Sequence, residues 1–159
     1  MIILNKDVPK HLSVIFLAIS YIFLKSGYGK ISEGKFVDTL GGLLSKSVGN
    51  NPYPMVKNFL LNVAIPNSRI FATLTMWGEL LTGLSIGIVT IYLLFNKKSN
   101  KLISLILLLG FTVAAFLNVV FWLALGYTSS STETLNMLMF VIEVVGIAIS
   151  FNKYKETNS

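Results

Sequence analysis

The sequence predicts an all-α protein, an integral-membrane four-helix bundle with two short amphipathic helices in its long first loop. The 159 residues are 53% hydrophobic and only 13% charged, whereas ordinary soluble domains carry about 25% charged residues. The mean hydropathy is +0.72. Four apolar runs also reach the roughly 17–25 residues that a spanning helix needs. Because backbone groups in lipid must be hydrogen-bonded within the segment, such runs form helices.

A single transmembrane domain, residues 1–159, is expected to contain four spans, at residues 12–28, 70–95, 102–126 and 134–151. The first run follows Lys6 and Lys10 and could be the apolar part of a secretory signal. No small-residue cleavage pattern follows it, and Lys25 and Lys30 close it, so we expect a retained helix.

The long first loop, residues 29–69, contains two amphipathic patterns. Each pattern places apolar residues on one helical face: Phe36, Leu40, Leu43 and Leu44 in the first, and Val56, Phe59, Leu60 and Val63 in the second. Both segments are too short to span a bilayer. We expect them to lie on the membrane surface or over the mouth of the bundle, with a packed extramembrane loop as the alternative.

The lysines predict the orientation. Four spans place both termini and the second loop on one side, and that side carries Lys6, Lys10, Lys97, Lys98, Lys101, Lys153 and Lys155. Short, lysine-rich segments face the cytoplasm. We therefore expect a multi-pass protein of the cell membrane with both termini in the cytoplasm. The net charge of +6 is expected to meet lipid head groups rather than nucleic acid.

Several classes of chemistry are disfavoured by composition. The chain has no cysteine, and His11 is its only histidine. A cysteine nucleophile or thiolate metal site is therefore excluded, and histidine-rich zinc, copper and haem sites lack ligands. We expect no metal or haem to be bound by this chain.

Glu79 lies inside the second apolar run, about 14 Å deep at 1.5 Å per residue. Thr75, Glu79, Gly83 and Gly87 follow one another at intervals of four residues. Such stripes of small residues let helix backbones approach closely. The Glu79 side chain should therefore point into the bundle and away from lipid.

Two further spans carry a polar inward face. Glu143 lies near the centre of the fourth span, and Asn118 follows Gly110 and Ala114 on the third. The simplest packing brings Glu79, Asn118 and Glu143 toward one cavity. Carboxyl groups there could exchange protons near neutral pH, which suits quinone reduction or a proton pathway. The alternative is that these residues only supply hydrogen bonds between helices.

Other residues could complete such a site. Trp77, Trp122 and Phe140 could line an apolar slot for a quinone head group, although tryptophans are also common at membrane interfaces. Lys30 and Arg69, the only arginine, could bind an anion above the bundle or meet lipid phosphates instead.

Three stretches resemble the DoxX/DoxD membrane family, and its DoxD branch most closely. They are "GYGK" after the first span, "NFLLNVAIPNSRIFATLTMWGELLTGLSIGI" in the second, and "NVVFWLALGYTSSSTETLN" between the third and fourth. DoxD proteins are membrane subunits of thiosulfate:quinone oxidoreductases. The resemblance therefore implies oxidation of thiosulfate to tetrathionate, with membrane quinone as the electron acceptor.

The resemblance also implies roles and partners. Glu79 matches the family's second-helix glutamate and Lys30 the lysine that ends its first helix. We expect Glu79 and Glu143 to handle protons or orient quinone, and Lys30 and Arg69 to attract thiosulfate. A DoxA-like second subunit or a respiratory oxidase complex would be the partner. The competing hypotheses are a non-catalytic accessory or anchoring subunit and a pathway for protons or small solutes.

Overall fold

The structure is a computed structural model, and it describes residues 10–96 and 100–156. These residues contain six α-helices, which are α1 (Lys10–Glu33), α2 (Phe36–Ser47), α3 (Pro54–Phe59), α4 (Ser68–Phe95), α5 (Lys101–Leu125) and α6 (Ser130–Glu156). The described residues form no strand. Helices α1, α4, α5 and α6 are long and apolar enough to span a membrane. The predicted fold class is confirmed, and the chain is a multi-pass membrane protein.

The long helices extend beyond most of the predicted spans. Helix α1 continues to Glu33 and α6 to Glu156, several residues past the apolar runs. The apolar run marks only the part of a helix that fits the hydrocarbon, roughly 30 Å thick, and the ends continue into the head-group region. Lys6, Lys97 and Lys98, on which the predicted orientation partly depends, lie outside the described residues. The orientation stays a prediction.

Helices α1 and α4 pack against each other through small residues. A Cβ atom added to Gly83 would lie 2.8 Å from the backbone nitrogen of Leu24 and 2.9 Å from the carbonyl oxygen of Ser20. The Ser20 hydroxyl donates a hydrogen bond to the Gly83 carbonyl at 2.7 Å. The stripe that contains Glu79 and Gly83 therefore faces α1, because only a residue without a side chain permits this approach.

The centre of the bundle is apolar. The rings of Phe16 and Phe111 meet edge to face with centroids 4.6 Å apart. Ile86 and Leu107 complete this layer and are almost completely buried. Gly146 of α6 lies against the Phe111 ring, where an added Cβ would be only 2.7 Å from ring carbons. This apolar layer holds α1, α4, α5 and α6 together.

Residues 36–64 form a cap over one end of the bundle. The cap consists of α2, a short connection, and α3, which continues as a π-helical turn at Leu60–Ala64. Leu40, Leu44 and Leu60 are buried in one cluster with Ala72 and Ala124 of the spanning helices. The two predicted amphipathic helices are therefore confirmed, and they cover the bundle mouth.

Polar contacts hold the cap to the end of α5 and to the turn that follows it. The Tyr127 hydroxyl donates to the Ser47 carbonyl at 2.6 Å. The Asn51 amide donates to the Leu123 carbonyl at 2.9 Å. Not every residue of the two predicted apolar faces packs against the bundle, because Leu43 remains 49% exposed and Val63 40% exposed.

Candidate functional site

The first polar pair joins the end of α1 to the middle of α4. Glu79 on α4 is 2% exposed. The Lys30 ammonium, from the last turns of α1, donates to both oxygens of Glu79, with Nζ 2.6 Å from Oε1. It also donates to the hydroxyl of Ser26, one turn earlier, at 2.8 Å. Lys30 and Glu79 therefore form an ion pair inside the bundle rather than one exposed to lipid or water.

Two aromatic rings cover the Lys30 ammonium. Its Nζ lies 5.0 Å from the ring centroid of Phe36 at the start of α2, and 5.8 Å from that of Phe121 on α5. Both distances permit favourable cation–π interaction. The Lys30 side chain retains 21% exposure. The ammonium thus contacts α1, α4, α5 and the cap together.

The second polar pair joins α5 to α6. Glu143 is 0% exposed and Asn118 is 2% exposed. The Asn118 amide nitrogen donates to Glu143 Oε1 at 2.6 Å. The other carboxyl oxygen, Oε2, has no hydrogen-bond partner in the described part of the chain. Most buried polar atoms have a partner, and exceptions are often functional or bind water.

The structure bonds two of the three residues that were expected to meet in one cavity. Asn118 and Glu143 do meet, but Glu79 is bonded to Lys30 instead of Asn118. Gly78 faces Leu117 of α5, where an added Cβ would lie 3.6 Å from a methyl carbon of Leu117, so the next residue, Glu79, turns toward α1.

The three aromatic residues predicted to line a quinone slot differ in their surroundings. Trp77 is 48% exposed on the outside of α4. Trp122 is half-buried beneath the cap, with its ring 6.2 Å from that of Tyr53. Phe140 is half-buried on α6, three residues before Glu143 and on the same side of the helix. A quinone-binding role for these residues stays a prediction.

Lys30 and Arg69, which were expected to bind an anion, form two separate ion pairs. Arg69 is 79% exposed and pairs with Asp38 of α2, with Nη2 2.8 Å from Oδ1. Lys30 is bonded to Glu79. Each cation therefore already has a carboxylate partner, and an anion would have to compete with it.

Sequence reasoning missed several neighbours of these residues. Ser26 lies four residues before Lys30, a spacing that already places both on one face of α1. No local pattern could identify Phe36, Phe121 or Asp38, because their contacts depend on how distant elements pack.

Comparisons with known proteins add no match. In the described part of the chain, no group of three or more His, Cys, Asp or Glu residues could hold a metal ion. No protein-family model, curated protein or solved structure matches the chain. The resemblance to the DoxX/DoxD family therefore stays a prediction.

Proposed function

We propose that this chain is the membrane subunit of a quinone-dependent oxidoreductase that takes electrons from thiosulfate. The observation that supports this most directly is the Glu143 carboxyl group, which is wholly buried and has one oxygen bonded to Asn118 and one without a partner in the described residues. A carboxyl group held in this way can give a proton to a reacting group or take one from it.

Quinone reduction needs such a group. Oxidation joins two thiosulfate ions through a new S–S bond, forming tetrathionate and releasing two electrons. A quinone accepts these two electrons together with two protons and becomes a quinol. Because the chain has no cysteine, it cannot hold sulfur covalently through a thiolate. Its residues would instead bind the reactants and move protons.

The quinone head group would bind beside Asn118 and Glu143. The Asn118 amide can donate to a quinone carbonyl, and Glu143 can supply the proton. Since both side chains are buried, the head group would have to enter between α5 and α6, past the half-buried Phe140. Trp122, near the end of α5, would border this site on the cap side, whereas Trp77 would contact lipid.

Thiosulfate would approach from the cap side, where Arg69 is open to solvent and Lys30 is partly exposed. A second, DoxA-like subunit or a respiratory oxidase complex would complete the assembly. The protein would lie in the cell membrane with both termini in the cytoplasm and the cap outside.

One observation favours a second candidate function, a non-catalytic accessory subunit. Lys30 bonds both oxygens of Glu79, which is the arrangement expected of a structural contact between α1 and α4. Under this alternative the chain anchors or assembles a respiratory membrane complex and transfers no electrons itself.

The test is thiosulfate-dependent reduction of a quinone analogue by purified protein in lipid vesicles, alone and with its membrane partners. Glu143→Gln and Glu79→Gln are compared with Glu133→Gln, a matched control because Glu133 is exposed in the first turn of α6. We expect Glu143→Gln to lose activity by about 100-fold, the usual scale of general acid catalysis. Full activity in a folded Glu143→Gln protein would refute the assigned role. No activity in any intact complex would favour the accessory subunit.

A further inference from the structure

The second half of the cap has three distinct faces. Residues 54–64 run through α3 and the π-helical turn without a break. On three faces of this segment, residues of like character recur every four positions, whereas Lys57 and the 44% exposed Leu61 lie between the polar face and the face that packs on the bundle. Each of these faces meets a different environment.

The first face packs on the bundle. Leu60 is 4% exposed and Ala64 is 3% exposed. Val56, four residues before Leu60, is half-buried and packs against the same cluster. This face accounts for the contact between the segment and the spanning helices.

The second face is apolar but is not covered by the protein. Met55 is 86% exposed, Phe59 is 47% exposed and Val63 is 40% exposed. The third face is polar, because Asn58 and Asn62 are both exposed. An exposed apolar stripe beside an exposed polar stripe is the pattern of a helix lying at a lipid–water boundary.

The uncovered apolar face is continuous with the lipid-facing surface of α4. The Phe59 ring lies edge to face with the Phe71 ring of α4, with centroids 5.9 Å apart. Next to Phe71, Ile70 is 60% exposed and Leu74 is 63% exposed. The apolar outer surface of α4 therefore begins within its first turn, level with α3.

The length of α4 agrees with this placement. Its 28 residues span about 42 Å at 1.5 Å per residue, more than the roughly 30 Å of hydrocarbon. The ends of α4 therefore lie in the head-group region, and the cap that joins its first residue lies there too.

We infer that Met55, Phe59 and Val63 insert into the lipid leaflet on the cap side, so that α3 lies in the head-group layer with Asn58 and Asn62 toward water. Lipid acyl chains would cover this apolar face. This inference does not depend on the proposed oxidoreductase function. It adds an attachment to the membrane to the contacts that already hold the cap to the bundle, among them the hydrogen bonds of Tyr127 and Asn51 and the buried leucine cluster.

Because the chain contains no cysteine, single-cysteine variants can be spin-labelled at one chosen position without first replacing native cysteines. Met55→Cys and Val63→Cys report on the apolar face, and Asn58→Cys and Asn62→Cys are matched controls on the same segment. Phe59 is left in place because its ring contacts Phe71. Each labelled protein is reconstituted in vesicles of phosphatidylcholine and phosphatidylglycerol. Collision rates with oxygen and with a water-soluble nickel chelate are then measured.

We expect labels at positions 55 and 63 to collide often with oxygen and rarely with nickel, and labels at 58 and 62 to show the reverse. Equally high nickel collision rates at all four positions would overturn the inference, because the whole segment would then lie in water. Low rates with both reagents at 55 and 63 would also overturn it, because protein rather than lipid would cover the face. Loss of the helical circular dichroism signal in one variant leaves the other on that face to decide.

Discussion

Replacing Lys30 with methionine should destabilise the bundle more than replacing Glu79 with methionine, although both changes break the same ion pair. Glu79 is 2% exposed, and in the described residues Lys30 is its only hydrogen-bond donor. Lys30 is 21% exposed and keeps Ser26 and two aromatic rings as partners. Lys30→Met should therefore cost about 3–5 kcal/mol, the usual cost of leaving a buried charge without its partner. Glu79→Met should cost less, about 1–3 kcal/mol.

A variant in which methionine replaces both Lys30 and Glu79 tests this explanation. Replacing both members of a buried ion pair with apolar residues of similar size is often neutral or stabilising. The double methionine variant should therefore be more stable than Lys30→Met alone. Unfolding by sodium dodecyl sulfate in mixed micelles, followed by circular dichroism, gives the free energy of unfolding of the unchanged protein, the two single variants and the double variant. Additive losses in the double variant would show that the two side chains do not stabilise the fold as a pair.

Three further predictions use the same unfolding measurement. Gly83→Ala should lower the free energy of unfolding by about 1–3 kcal/mol, because the added Cβ would overlap backbone atoms of α1. Gly29→Ala is the control and should not lower it, because a Cβ added there meets open space. Asn118→Ala should cost about 1–3 kcal/mol by removing the hydrogen-bond donor to Glu143, and it should also slow thiosulfate-dependent quinone reduction. Arg69→Ala should cost less than about 1 kcal/mol, because its ion pair is exposed, and a larger loss would contradict this assignment.

The fold could be predicted because it depends on residues that lie close together in the sequence. Run length and hydropathy set the four spanning helices, and the spacing of Leu40 and Leu44 set the face of the cap that packs on the bundle. The close approach at Gly83 also followed from spacing alone. In each case the relevant residues are near in sequence, so helical periodicity is enough to place them on a face.

The partner of Glu79 could not be predicted in the same way. A lysine near the end of a spanning helix usually extends to the head groups, and the sequence left Lys30 with two expected partners, an anion above the bundle or lipid phosphates. The antiparallel packing of α1 on α4 instead brings Lys30 to Glu79. Gly27 lies against Leu80, where an added Cβ would be 2.7 Å from the Leu80 nitrogen, so Lys30, less than one turn further along α1, reaches Glu79. Periodicity gives the face of each helix but not the offset between two helices.

The two polar pairs join different helices, and they have different consequences for function. Lys30 and Glu79 bond α1 to α4 and leave no oxygen of Glu79 without a partner, whereas Asn118 and Glu143 bond α5 to α6 and leave Glu143 Oε2 unpaired among the described residues. Chemistry at Glu143 would require α5 and α6 to separate locally, and the first pair would hold α1 and α4 together meanwhile. A structural role therefore fits Glu79 better, and a proton-transfer role fits Glu143 better. Activity lost in Glu143→Gln but kept in Glu79→Gln would support this division, and the opposite result would reverse it.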